Sequence, residues 1–492
     1  MALDQGISSA KRPAVGISGM AGYVPPFEVQ LDEWCDWTNG SRSKIQAVVG
    51  EAFRVRAPNE NAYTMAATAV LRLIERFDID PAEVGFLALG TESSTDNSAG
   101  AVLVRGMLDR ALPTIGRAPL NRACEVPEFK HACLGGVYAL KSAARYLQTD
   151  GVGRKAIVVC SDIAEYARGS SGEPTQGAGA VAMLVDNDAA LFAIESISGS
   201  SSAYRGPDFR KPLTRFIGQS PSAFAQPRDF PVVNGKYSTT CYLEAMLTAG
   251  RDLFEKLTDS PAGWMRRLAM VFLHRPYQRM ADNGLCYLYL LALAKGGAAD
   301  RQELVRHALD AEQDPQVLLR ELQDVQHLEE LLDDGQLASE RFPVASAVTQ
   351  RFRSSDTFSQ LATRAGCDLM RRIGNLYTAS LPAWMAAGVE RAAADGQQLA
   401  GMEVLAAGYG SGDAAELMCL RFSPGWEQAA RRVRFAEDMA EVERLDRSTY
   451  EALHDGSLDR PYRRDGVFVI DRVGSGAAAF DDSGIEYYRF GC

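Results

Sequence analysis

The chain has 492 residues, with 52 lysines and arginines against 63 aspartates and glutamates, a formal net charge of −11. That length exceeds what one ordinary core holds, so two domains or one large double domain is expected. The acidic balance argues against a general nucleic-acid binder, while a local basic patch for a phosphate-bearing ligand stays open.

The nine cysteines are scattered and odd in number. No Cys-x-x-Cys pair or close Cys/His cluster occurs, so neither a metal site nor a disulfide framework is expected. A reduced, cytoplasmic setting is the simplest reading. Residues 1–13 read as a disordered lead without the apolar run of a signal peptide. No apolar segment is long enough to cross a bilayer, so no membrane partner is expected.

In chain order, Ala14-Val15-Gly16-Ile17 begins a strand that ends by Pro25-Pro26. Thr64 to Phe77 has the spacing of a helix, with Ala66, Ala69, Val70, Leu73 and Phe77 on one face. Val84 to Leu89 is a continuous apolar run, which suits a strand buried on both faces. It leads to Gly90-Thr91-Glu92-Ser93. After Cys133, Val137, Leu140, Ala144 and Leu147 recur at helical spacing. Ala156 to Cys160 is another buried strand. A Gly-rich loop, 165–179, precedes strands at Val181 to Val185 and Leu191 to Ile194. Residues 196–240 read as long loops. A second set follows: helix from Tyr242 to Leu257, strand Met270 to Leu273, helix around Tyr287 to Leu293, helix Tyr377 to Val389, and strands at Val404 to Ala407 and Leu417 to Phe422. Strand and helix in alternation point to an α/β class. The acidic stretch Asp300 to Leu337 carries an apolar stripe of Leu318, Leu322, Val325 and Leu332, read as an amphipathic helix packed on its own domain. The tail turns strand-like at Gly466 to Ile470.

Three features carry chemistry. Cys133 stands where an extended segment gives way to a helix. The unpaired N–H groups and dipole at such an end favour a thiolate, the nucleophilic form. Gly135 and Gly136 are read as leaving room beside the sulfur for a substrate. A plainer reading makes Cys133 a small buried apolar residue. Glu92 follows a buried strand at the end where open α/β sheets bind ligands, a place that suits a general base. The plainer reading is an exposed loop acid or a helix cap. His274 ends the apolar run Met270-Val271-Phe272-Leu273, and the plainer reading is a core histidine bonded to backbone. The histidines at 131, 307, 327 and 454 are expected in polar, exposed contexts. Finally, Gly374-Asn375-Leu376-Tyr377 and Gly408-Tyr409-Gly410-Ser411-Gly412 are glycine turns of the kind that present N–H groups to a ligand.

Taken together, these segments resemble the hydroxymethylglutaryl-CoA synthase family of thiolase-fold condensing enzymes, including its polyketide β-branching members. The motifs run through most of the chain: Gly90-Thr91-Glu92-Ser93, Lys130-His131-Ala132-Cys133, Ser161-Asp162-Ile163-Ala164-Glu165-Tyr166, Glu173-Pro174-Thr175-Gln176-Gly177, Phe272-Leu273-His274-Arg275-Pro276, Gly374-Asn375-Leu376-Tyr377 and Gly408-Tyr409-Gly410-Ser411-Gly412.

The resemblance implies two similar α/β halves stacked as five layers, αβαβα. The halves are placed at 14–195, with Glu92 and Cys133, and 196–435, with His274. A helical insert lies at about 296–350, and a tail, 436–492, packs on the core. It implies an acyltransferase: Cys133 accepts an acetyl group, Glu92 removes a methyl proton, and the enolate attacks a 3-oxoacyl thioester oriented by His274. Tyr166, Thr175, Asn375, Tyr377 and Ser411 are the implied substrate-binding residues. No cofactor or metal is implied. Acetyl-CoA or an acetylated carrier protein is the expected substrate, and a homodimer the expected assembly.

Some features depart from the family. The loop Tyr204 to Arg210 lacks the tryptophan usual after Asp-Phe, His131 replaces an acidic residue, and the insert is long. Two other readings stand beside the CoA enzyme. One is the same chemistry on carrier-bound polyketide intermediates. The other is a non-catalytic partner subunit, against which the joint presence of Cys133, Glu92 and His274 argues.

Overall fold

The computed structural model describes residues 14–94, 99–206, 208, 230–231, 234–323, 341–458, 464–476 and 481–491. The lead 1–13, most of the long loops in 203–233, His327, Val325 and Leu332 lie outside the described residues.

One mixed sheet organises the chain. Its strands are β1 (Gly16–Tyr23), β2 (Val84–Gly90), β3 (Glu128–Phe129), β4 (Lys155–Ala164), β5 (Gly177–Asp186), β6 (Phe192–Ser202), β7 (Met270–Leu273), β8 (Glu403–Gly410) and β9 (Ala414–Phe422). Their spatial order is β3-β2-β4-β5-β1-β6-β9-β8-β7. The apolar run at Val84–Gly90 is buried throughout, as a strand covered on both faces must be.

The order contains a repeat. β2 runs parallel to β4, and then β5 and β1 follow antiparallel. In the second half β7 runs parallel to β8, and then β9 and β6 follow antiparallel. The repeat expected from the alternation of elements is therefore present in topology, without being visible residue by residue. Within the sheet the two sets of strands meet where Gly16 and Ile17 of β1 pair with Ala193 and Phe192 of β6.

Helices make the other layers. Helix α1 (Ala62–Arg76) lies against β1, β4 and β5. Asn61 starts it, accepting hydrogen bonds from the N–H groups of Tyr63 and Thr64. Helix α2 (Gly135–Gln148) packs on β2 and β4 on one side and touches Gly408 of β8 on the other. Further along, α3 (Lys236–Lys256) and α4 (Gln278–Lys295) cover the second half, α3 against β6 and β9 and α4 against β7. Helix α5 (Ser380–Ala394) reaches strands of both halves. With α2 and α5 between the halves, the layering is αβαβα, and one core cluster runs through it.

Two expectations need correction. The 196–240 region is not all loop: β6 continues to Ser202 and α3 begins at Lys236. The sequence Glu195-Ser196-Ile197-Ser198-Gly199-Ser200-Ser201-Ser202 has little strand propensity, but pairing with β9 down to Ser202↔Ala414 imposes it. Likewise the helix beginning at Tyr377 is a single 3-10 turn, Tyr377–Ala379, before α5. The insert contains helices at Ala298–Asp310, Pro315–Gln323 and Pro343–Phe352, which pack on α4 and on each other, with Leu318 and Leu322 fully buried.

Candidate active site

The sequence builds the Cys133 turn from a short strand and a helix. β3 ends at Phe129, Ala132 adopts a left-handed φ of 40°, and α2 starts at Gly135. A non-glycine residue in that region is strained, and such strain gathers at functional sites. The Leu134 N–H closes the turn by donating to the His131 carbonyl at 2.9 Å. Cys133 is left 8% exposed, next to Ala164, Tyr166 and Tyr377.

Gly135 and Gly136 do not open room for a substrate. A Cβ on Gly135 would lie 2.6 Å from the Phe129 carbonyl oxygen, and one on Gly136 only 2.3 Å from the Cys160 sulfur. The glycines are required so that α2 can press onto β3 and β4. The expectation erred because the sheet, not the ligand, occupies that space.

Glu92 lies just past β2. Its Oε2 is 3.3 Å from the Cys133 Sγ, in hydrogen-bond contact with the thiol. The reason for its placement is Asp162, on β4, which sequence reasoning left without a role. One Asp162 oxygen accepts from the Thr91 hydroxyl (2.9 Å), the Glu92 N–H (2.8 Å), the Ser93 N–H (3.0 Å) and the Ser93 hydroxyl (2.8 Å). The other accepts from the Thr378 N–H (2.9 Å) and hydroxyl. Burial raises the pKa of this carboxyl, and the bonds from Thr378 and Ser93 oppose the rise. A buried acid inside an apolar strand was the signal available in the sequence.

His274 follows β7 and is 2% exposed. Its backbone N–H donates to the Ala407 carbonyl of β8 at 2.7 Å. Burial depresses the imidazole pKa to about 3, so the ring is neutral at neutral pH. Among the described residues the buried Nδ1 has no hydrogen-bond partner.

Cys133 and His274 line one cavity of about 880 Å³, together with Tyr166, Thr175, Asn375 and Ser411. Glu92 joins it through the Cys133 sulfur. Tyr377 is not among the lining residues; it is fully buried at a φ of 45° and meets Tyr166 edge-on, behind the cysteine. Asn375 is held by its Oδ1, which accepts from the Tyr377 N–H (2.9 Å) and the Ser380 hydroxyl (3.0 Å). Gly410 lets β8 close on the cysteine turn: a Cβ there would lie 2.7 Å from the His131 carbonyl oxygen. That approach sets Ser411 at the cavity wall.

The other histidines differ from expectation. The side chain of His454 is 2% exposed, and its Nε2 lies 2.8 Å from the Tyr166 carbonyl oxygen. His131 stacks edge-on with Tyr138 and His307 with Phe352, so both are half-buried rather than exposed. Periodicity gave no hint of the rings that receive them.

The cavity wall carries Lys44, Lys236, Arg279, Arg341 and Arg353, and no Asp or Glu among the described lining residues. In a chain of net charge −11 this is a local positive field. Among the described residues no group of three or more His, Cys, Asp or Glu side chains is placed to hold a metal ion, and no helix is long and apolar enough to cross a membrane.

Comparison with known proteins agrees with this geometry. The family model described as hydroxymethylglutaryl-coenzyme A synthase N terminal matches residues 11–190, and its C-terminal counterpart matches residues 223–453. The hydroxymethylglutaryl-CoA synthase of Haloferax volcanii is 28% identical over 400 residues, covering 80% of each chain. The mitochondrial hydroxymethylglutaryl-CoA synthase of Sus scrofa is 30% identical over 425 residues, 83% of this chain and 73% of that one. Among solved structures, MvaS in complex with 3-hydroxy-3-methylglutaryl coenzyme A superposes with a TM-score of 0.75 at 27% identity, covering 97% of this chain and 99% of that one. The HMG synthase of the curacin biosynthetic pathway, in complex with holo donor-ACP, shares the fold at a TM-score of 0.68 and 18% identity, over 97% of this chain and 100% of that one. With both family models matched, a cysteine and a histidine lining one cavity of a thiolase-like fold and a carboxylate in contact with that cysteine, the chain belongs to the hydroxymethylglutaryl-CoA synthase family of condensing enzymes.

Proposed function

We propose that the chain condenses an acetyl thioester with a 3-oxoacyl thioester, through an acetyl group carried on Cys133, to give a 3-hydroxy-3-methylglutaryl-type thioester. The observation that carries the reading is the 3.3 Å contact of Cys133 Sγ with Glu92 Oε2, at the cavity that His274 also lines.

Cys133 exchanges its thiol proton for the acetyl group, and the carrier leaves as a free thiol. Glu92 then takes a proton from the acetyl methyl. The enolate carbon attacks the ketone carbon of the acceptor, the ketone oxygen becomes an alkoxide, and the proton held by Glu92 passes to it to give the 3-hydroxyl. A neutral His274 donates a hydrogen bond to that oxygen and does not compete with Glu92 for charge. Water finally cleaves the cysteine thioester, which leaves a free carboxylate on the product. The backbone N–H groups of Cys133 and Ser411 are the donors for the oxygen of the cysteine-bound acyl group. Tyr166, Thr175 and Asn375 line the acyl pocket, and Tyr377 backs it.

The thioester arrives on CoA or on a carrier protein. The cationic wall supports either, since both present a phosphate on a pantetheine arm. A pair of identical chains is the assembly that goes with this fold, and sedimentation at several concentrations reads it. A cytoplasmic setting goes with the eight described cysteines, all free.

The test is intact mass after mixing with acetyl-CoA or with acetylated carrier. One acetyl group on Cys133, absent from Cys133→Ser, is expected from at least one donor, and the donor that acylates faster identifies the carrier. No gain from either donor would refute the reading.

A further inference from the structure

Behind the Ser411 turn lies a buried ionic cluster whose members are far apart in the chain. Arg205 is 5% exposed. Its Nη2 meets Glu244 Oε2 at 2.8 Å, and its Nε meets Asp413 Oδ2 at 3.3 Å. Arg341 approaches the other Glu244 oxygen at 3.8 Å.

The same segment grips the backbone of the turn. The Arg205 N–H donates to the Gly412 carbonyl at 3.3 Å. Ala203 and Asp413 exchange two backbone hydrogen bonds, at 3.1 and 2.9 Å. Nearby, the Asp208 carboxylate accepts from the Tyr409 hydroxyl at 3.1 Å. Gly412 and Asp413 are thus held by the 203–205 segment, and Ser411 stands between them and β8 at the cavity wall.

Buried ion clusters seldom stabilise a fold more than apolar residues of the same shape would, because desolvation offsets the attraction. What they supply is fixed geometry, and an arginine fork supplies it in two directions at once. We infer that Arg205 is a positioning residue: through Asp413 and the Gly412 peptide it aims the Ser411 N–H at the oxygen of the acyl group on Cys133. The inference rests on the proposed condensation.

Two variants test it. Asp413→Asn keeps the shape of the side chain and removes its charge. The triple variant Arg205→Met, Glu244→Leu, Asp413→Leu replaces both Arg205 ion pairs by apolar side chains and leaves Arg341 at the cavity wall. In either variant that retains the wild-type circular dichroism, kcat is expected to fall ten- to a hundredfold, with the KM for the acetyl donor within twofold. Acetylation of Cys133 slows by the same factor. Wild-type kcat in a folded variant would overturn the inference, as would a KM that rises while kcat holds. Loss of fold in both variants would also overturn it, since the cluster would then serve stability. If the wild type itself takes no acetyl group from either donor, the condensation reading falls first and this inference with it.

Discussion

Glu92 and Cys133 divide the proposed chemistry between a base and a nucleophile, and the two are separable by substitution. Glu92→Gln keeps the size and the backbone bonds to Asp162 but cannot take a methyl proton. Acetylation of Cys133 should persist within a few fold, while condensation falls by about 10²–10⁴, the usual worth of a positioned base. Single-turnover mass measurement separates the two steps, and normal condensation would remove Glu92 from the mechanism. Two buried groups also give opposite pH signatures. His274 titrates near 6.5 when unfolded and at about 3 in the fold, so the unfolded chain binds more protons between those values. Its contribution to stability is therefore lost as pH falls from about 6.5 towards 3. Burial raises Asp413 to about 7, against about 3.9 unfolded, so there the native state binds more protons and stability is lost as pH rises from about 4 to 7. Because the windows overlap, each is read as a difference in denaturant stability between the wild type and His274→Asn or Asp413→Asn. A difference that stays flat across its window would contradict the assigned burial.

At the scale of elements, close packing of α2 makes the site sensitive to single methyl groups. Gly136→Ala would drive a Cβ to 2.3 Å from the Cys160 sulfur, an overpacking that should cost about 1–3 kcal/mol in urea denaturation. In the insert, Leu318→Ala removes a fully buried side chain and should cost about 2–5 kcal/mol if Pro315–Gln323 is part of the fold. A loss below 0.5 kcal/mol would mark that helix as loosely attached. What the sequence revealed follows the same division. Val84–Leu89 and Val404–Ala407 were legible because apolar runs have no other use than burial, whereas Gly408–Gly410, read as a turn, continues the strand. The cysteine turn was legible from its motif and from the helical spacing after it. The serine-rich end of β6 was not, since only its partner strand makes it extended. Asp162 and the Arg205 cluster stayed hidden for a related reason: residues 91, 162 and 378, or 205, 244 and 413, converge through topology that no local pattern encodes. His454 was misjudged because its partner, the Tyr166 carbonyl, lies 288 positions away.

Across the whole molecule, the repeated strand order explains where the chemistry collects. Glu92 follows β2 and His274 follows β7, the equivalent strands of the two halves. The cysteine turn precedes α2, and the Asn375 turn precedes α5, again in equivalent places. Each half thus brings its strand end and its helix start towards the Cys133 sulfur, and the second set of strands begins at Phe192, inside the expected first half. The second property at this scale is charge. Among the described residues five cations and no Asp or Glu line the cavity of an acidic chain, so raising salt from 50 to 300 mM should raise the KM for the thioester several-fold with little change in kcat. Salt-independent KM would mean that the wall does not meet the phosphates.

That contrast between an acidic exterior and a cationic vestibule has a practical side. If the wall meets the thioester's phosphates as proposed, citrate or pyrophosphate in a buffer is expected to compete with the thioester and raise its KM. Long polyanions first meet a chain of net charge −11, so nucleic acid is expected to compete far less than these small anions.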